Sequence, residues 1–244
     1  MSVRPSRMLG LLVLGIGSLA PPLHAAAPLQ LKPFEAEFQV KRDGIPLGTL
    51  ELRLALSSPQ GYKYTSHTRP GPLIGWLISD EVQETSEGLY VDKQITPLTY
   101  EYRQGSGKVE KKHTLLNFDW SAGQVWTESE GVRWPQPIEP GVQDKFSQQL
   151  ALRLDLASGK TLIGYAAADG GKIKTYRYKV TGEEFISVPY GRVKCLRVRR
   201  SKEAKAADST IWVAPELGFF PVKIERRRTS GRYSMELRQL SSGG

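Results

Sequence analysis

Apolar and polar residues alternate with a period of two along most of the chain. Phe34, Ala36, Phe38 and Val40 alternate with Glu35, Glu37, Gln39 and Lys41, and Asp43-Gly44 follows. Leu50, Leu52, Leu54 and Leu56 then alternate with Glu51 and Arg53. Two such runs on either side of an Asp-Gly pair predict a β-hairpin, because both turn residues tolerate positive φ. The same spacing recurs at Tyr62 and Tyr64, at Leu98, Tyr100 and Tyr102, and, beyond Gly105-Ser106-Gly107, at Thr114, Leu116, Phe118 and Trp120. It returns at Tyr176, Tyr178 and Val180, at Phe220, Val222 and Ile224, and at Tyr233, Met235 and Leu237. Strands with one apolar and one polar face belong to antiparallel sheets wetted on one side.

Two segments interrupt the alternation. Asp144 to Ala157 predicts a helix, with Asp144 as N-cap, Phe146, Leu150 and Leu154 on one face and Gly159 past the end. Leu150, Leu152, Leu154 and Leu156 also alternate as a strand would, and length and caps decide for helix. Gly71 to Ile78 holds an apolar cluster including Trp76, and the Pro-rich stretch Trp134 to Pro140 reads as a connection. One helix cannot cover the apolar face of so many strands, and a sheet of that size curls or splits into two layers. The fold expected is mainly β: a large antiparallel curled sheet or half-open β-barrel with one covering helix. A two-layer sandwich is the alternative without a cavity.

The N-terminus is of another character. Arg4 and Arg7 precede an apolar run from Met8 to Ala20, followed by Pro21-Pro22 and Ala25-Ala26-Ala27. A basic start, a short apolar core and a small-residue end are the marks of a cleaved signal peptide. A spanning helix needs about 20 apolar residues without such a break. Residues 1–26 are therefore expected to direct export to the periplasm and be removed after Ala25 or Ala26. Residues 27–244 are expected to form a single β-rich domain. No cysteine lies near the cut to carry a lipid anchor. The sole cysteine, Cys195, excludes an internal disulfide, and a chain of this length can bury a core without one. The net charge of +9 falls to +7 once Arg4 and Arg7 are removed. In an exported protein that balance points toward anionic envelope surfaces and away from nucleic acid.

The residues of chemistry do not assemble into a recognisable catalytic site. His67 and His113 alternate on polar faces, and no paired-histidine or Cys-x-x-Cys spacing exists, so neither a metal nor a cofactor is expected. Cys195, beside Val193 in a strand, reads as a small buried apolar residue. There is no Gly-x-Ser-x-Gly elbow. Gly170-Gly171-Lys172 lacks the rest of a phosphate loop and reads as a hairpin turn. Asp80, Glu81, Glu84 and Glu87 have the proximity of glycosidase carboxylates, but such clusters are far more often a solvated face. No catalytic residue is assigned and the protein is not expected to be an enzyme. A glycan- or lipid-active enzyme is the third-ranked alternative.

A resemblance sharpens this reading. The run Trp212-Val213-Ala214-Pro215-Glu216-Leu217-Gly218-Phe219-Phe220-Pro221-Val222 looks like a strand–turn–strand signature of envelope proteins. With Ser187 to Val193, Ala168 to Gly171 and Phe34 to Gly48, the chain resembles the proteobacterial exported family called domain of unknown function 3108. That family supplies no catalytic residues. The Trp–Pro–Glu–Gly–Pro hairpin is also similar to one in periplasmic lipoprotein carriers, half-open barrels whose concave face holds acyl chains. The resemblance implies a protein that binds or carries an amphipathic envelope ligand, a lipid or an acylated protein. Phe38, Tyr100, Tyr102, Phe118 and Trp212 are the candidate groove residues, with Trp76 as lid. Arg197, Arg199, Arg200, Arg226 and Arg227 are candidates for peripheral docking on an anionic membrane surface, although basic clusters at strand ends also serve to keep sheet edges apart. A structural or regulatory role through an envelope protein partner is the second reading.

Overall fold

The computed structural model describes residues 29–57, 60–71, 80–107, 109–202 and 209–242. The predicted signal segment, the Trp76 cluster and its neighbours at 72–79 lie outside them. The described residues form fifteen strands in one sheet. In chain order the strands are β1 (Phe34–Arg42), β2 (Ile45–Ser57), β3 (Gly61–Pro70), β4 (Glu81–Val91), β5 (Gln94–Ser106), β6 (Val109–Asp119), β7 (Gln124–Ser129), β8 (Val132–Pro137) and β9 (Gln143–Asp144). After the helix α1 (Gln148–Ala157) come β10 (Leu162–Ala168), β11 (Ile173–Val188), β12 (Gly191–Lys202), β13 (Ser209–Ala214), β14 (Phe220–Arg228) and β15 (Gly231–Ser242).

The sheet order is β8-β7-β6-β5-β4-β3-β2-β1-β15-β14-β13-β12-β11-β10-β9. Two meanders therefore meet where the first strand pairs with the last. Phe34 lies opposite Ser242, and Arg42 opposite Tyr233. Every ladder is antiparallel except the short β9–β10 pairing. The sheet curls until its ends touch without a closing ladder. Gln143 in β9 donates to the carbonyl of Ile95 in β5 at 2.9 Å, and the Trp134 indole of β8 donates to the carbonyl of Gly171 at 3.4 Å. The result is a curled, half-open barrel, as the alternation predicts.

Three segments differ in detail from the sequence expectations. The stretch Trp134 to Pro140, read as a connection, supplies in its first four residues the greater part of the edge strand β8, where Pro135 and Pro137 are tolerated because the strand pairs only with β7. The Asp80–Glu87 carboxylates belong largely to β4, which alternation divides between two faces. The helix begins at Gln148 rather than behind Asp144. Asp144 Oδ1 accepts the backbone N–H groups of Phe146 and Ser147, both at 2.6 Å, in a tight turn ahead of the helix.

Helix α1 fills the curl. Leu150 and Leu154 join the core formed by Phe34, Phe38, Tyr64, Phe146 and Phe220. Leu152 and Leu156, about half a turn around the helix, join a second cluster with Ile163, Tyr176, Tyr178, Val198 and Val213. All four leucines are buried. A helix walled on both sides needs apolar residues nearly all round, which is why its leucines also mimic a strand.

Candidate functional site

Where α1 does not fill the curl, a cleft of about 240 Å³ remains between the helix and the concave sheet face. Phe38, Leu50, Leu52, Ile211, Val213, Ile224 and Met235 supply its apolar walls. Leu152, Phe146, Gln148 and Gln149 face it from the helix side, and Ser66, Thr68 and Ser209 add hydroxyls. Four cationic side chains, Lys145, Arg153, Arg200 and Arg226, also line it, against a single carboxylate, Glu84. No histidine or cysteine is among the lining residues.

Several of the charged groups are held by identifiable neighbours. Glu84 points inward from β4, where its Oε1 accepts the Tyr100 hydroxyl at 2.6 Å and pairs with Lys145 Nζ at 2.8 Å. Burial works against the Lys145 charge, and Glu84 outweighs it, so the ammonium is held above its ordinary range. Burial, reinforced by Glu84, drives the Tyr100 phenol far upward and keeps it protonated. Arg200, Ser209 and Arg226 occupy one cross-strand row of β12, β13 and β14. Arg200 Nη2 donates to Ser209 Oγ at 3.1 Å, and its guanidinium lies 5.6 Å from the centre of the Tyr176 ring.

Arg153 is the most enclosed of these cations, 9% exposed. It leaves α1 between Leu152 and Leu154, which pack on opposite walls, and its guanidinium lies over the touching rings of Phe34 and Phe220 at 5.2 and 5.0 Å. Its Nε and Nη2 donate to the carbonyl of Gly218 at 3.3 and 3.1 Å. That carbonyl belongs to the turn after β13, where Pro215–Leu217 form one 3₁₀ turn and Gly218 closes it at φ 65°. The Trp212–Val222 signature thus presents the oxygen that orients Arg153. Burial pushes this guanidinium down to about 10, still charged at neutral pH.

A helix-docking network lies beside the cleft. Ser86 Oγ donates to Asp144 Oδ2 at 2.6 Å and lies 3.0 Å from the Tyr62 hydroxyl. Ser147 Oγ donates to Gln143 Oε1 at 2.9 Å and receives the Asp144 N–H at 3.0 Å. Burial raises the Asp144 carboxyl to about 6, against the pull of these donors.

The residues singled out from sequence are distributed as follows. Phe38 lines the cleft. Tyr100 and Tyr102 line a smaller depression of about 160 Å³ with Lys112 and Lys145. Phe118 is buried and stacked on Trp120 at 5.6 Å. Trp212 is turned away, because Ile211 and Val213 face the cleft and strand side chains alternate. Its indole donates to Glu184 at 2.9 Å under the Lys223 ammonium. Trp76 falls outside the described residues. Of the five arginines grouped for surface docking, Arg197, Arg199 and Arg227 are exposed, while Arg200 and Arg226 face the cleft. Arg153, Lys145 and Glu84 were not singled out as binding residues. A signal for Arg153 was present: it is the one cation within Leu-Ala-Leu-Arg-Leu-Asp-Leu, where a doubly buried helix offers it no path to solvent.

The histidines His67 and His113 lie outside the cleft. His67 pairs with Glu81 and His113 with Glu101 on the outer face. Among the described residues no three His, Cys, Asp or Glu side chains cluster so as to hold a metal ion. No helix of the described residues is long and apolar enough to cross a membrane. Gly170 and Gly171 form the β10–β11 hairpin turn, with φ of 60° and 73°.

Residues 34–238 match the family model "Protein of unknown function (DUF3108)", and the chain belongs to that family. No curated protein matches it. Among solved structures, the chain resembles a beta-barrel-like protein of domain of unknown function DUF1849 from Brucella abortus. The TM-score is 0.59 at 8% identity, covering 88% of this chain and 99% of the other. A putative exported protein with a YmcC-like fold from Bacteroides fragilis aligns at a TM-score of 0.38 and 14% identity, over 86% of this chain and 96% of the other. The first likeness shows a shared β-barrel-like fold, and the family model indicates no catalytic class.

Proposed function

We propose that this member of the DUF3108 family is an exported, non-catalytic protein that binds or carries an amphipathic lipid or acyl ligand in the cleft beside α1. The observation that supports this most is the composition of the cleft: aliphatic and aromatic walls with cationic and neutral polar groups set among them. Ligand sites combine apolar area for affinity with a few placed polar groups for orientation. The export half of the proposal rests on the basic, apolar and small-residue order of residues 1–26. Absence of histidine and cysteine from the lining favours binding over turnover.

Fluorescence titration with the neutral apolar dye N-phenyl-1-naphthylamine, followed by displacement with lipids, tests the reading. The dye is expected to bind and to be displaced by single-chain lipids. Ile224→Trp, which fills the cleft, is expected to weaken dye binding at least tenfold while the protein stays folded. Dye binding unaffected by that substitution would place any ligand elsewhere. No dye or lipid binding at all would turn the account toward a protein partner.

A further inference from the structure

We infer that the cleft selects a single-chain amphiphile with an anionic head, and that Arg153 is the residue that recognises that head. This rests on the proposed role of the cleft and adds the chemistry of its ligand.

Arg153 carries an incompletely satisfied charge. A buried cation is costly unless paired and fully hydrogen-bonded. Arg153 has two of its three nitrogens on the neutral carbonyl of Gly218, and its buried Nη1 has no hydrogen-bond partner among the described residues. No carboxylate among the described residues pairs with it, and the two flanking rings offer only a diffuse cation–π attraction. The residue nonetheless lines the cleft beside Phe38 and Leu152. A guanidinium held by a rigid turn and missing one acceptor is suited to a carboxylate or phosphate oxygen, which forms short charge-assisted bonds with it.

Charge and volume select the rest of the ligand. Cations outnumber carboxylates four to one among the lining residues, and Glu84 already faces Lys145. At ~30 Å³ for a water-sized group, roughly eight such groups fit, enough for the head-proximal part of one acyl chain, whose end extends through the open side, and too few for two chains. A single-chain anion therefore satisfies the walls and Arg153 together.

Isothermal titration of the delipidated protein with decanoate, decyl phosphate and decanol separates head from chain. The two anions are expected to bind at least about tenfold more tightly than the alcohol, as for a hydrogen bond to a charged group. Arg153→Gln is expected to erase that preference, weakening the two anions at least about tenfold more than decanol. Arg153→Lys is expected to keep part of it. The tighter of the two anions distinguishes a fatty-acid source from a phosphate-bearing lipid. Equal binding of anions and alcohol by the unsubstituted protein would overturn the anionic head and leave the cleft as an apolar site. A preference that survives Arg153→Gln would overturn the role of Arg153. Failure of all three ligands to bind would remove the cleft reading itself.

Discussion

Ser86 Oγ donates a 2.6 Å hydrogen bond to Oδ2 of Asp144, joining the interior of β4 to the turn ahead of α1. The carboxyl is fully enclosed, and burial raises it from its ordinary 3.8 to about 6. The folded protein therefore binds this proton more tightly than the unfolded chain. Stability from this group is fully present below 3.8 and is lost as the pH rises through about 6. The whole shift corresponds to roughly 3 kcal/mol, of which about 1 kcal/mol falls between about pH 5 and 7. Urea unfolding across that range should show the decline, and Asp144→Asn should flatten it. A profile equally steep in both proteins would assign the dependence to other groups.

Asp169 acts in a different window. Burial opposes its charge, but hydrogen bonds from Lys202, Tyr176 and Lys174 outweigh that and hold the carboxyl well below 3.8. Its contribution is present above 3.8 and lost below it. Asp169→Asn is therefore expected to weaken the protein at neutral pH and to lessen its further loss on acidification below about pH 4. Unfolding curves at about pH 3 and 6 check this, and an equal acid loss in both proteins would contradict it.

The two-sided burial of α1 makes a packing prediction. Leu150 and Leu152 point to opposite walls, and both are buried. Leu150→Ala and Leu152→Ala should each destabilise by about 2–5 kcal/mol in denaturant unfolding. A helix with one solvated face would tolerate one of them at well under 1 kcal/mol.

Gly218 connects the family signature to the cleft. Its φ of 65° disfavours a side chain, and a Cβ there would sit 3.2 Å from Leu29 Cδ1 and 3.6 Å from Arg153 Nη2. Gly218→Ala is expected to cost about 1–2 kcal/mol and to loosen the Arg153 anchor. Thermal unfolding reads the first effect, and a reduced anion preference in titration reads the second. Unchanged values in both would separate the turn from the site.

Cys195 is 1% exposed, and burial, with smaller effects of Glu216 and Glu184, pushes its thiol up to about 11. Maleimide labelling should be negligible in the native protein at neutral pH and complete in urea. Rapid native labelling would instead reveal an accessible, activated thiol.

How much of this was legible in sequence depends on parity. The β1–β2 hairpin follows from clean alternation around Asp43-Gly44, both of which take positive φ, at 50° and 86°. The existence of one helix was legible too, but its start was not, since the Asp144 carboxylate serves a turn that resembles a cap. Arg200 was grouped with Arg197 and Arg199 by charge, although adjacent strand residues face opposite ways. The buried residues of β12 run Val193, Cys195 and then Val198, a change of parity near the bulge between Val180 and Gly182. Counting in twos from Val193 would turn Arg197 and Arg199 inward, whereas in the structure they are exposed and Arg200 shares the inward face with Val198. Arg153 became significant only once the curl brought the Gly218 turn, 65 residues away, against the helix.

Native mass spectrometry of the protein purified gently from its cell compartment, paired with an organic extract of the same sample, tests the binding role most directly. The account predicts the mass of the processed chain plus one single-chain acidic amphiphile that appears in the extract. A ligand-free mass that stays unchanged after incubation with an envelope lipid extract would contradict it.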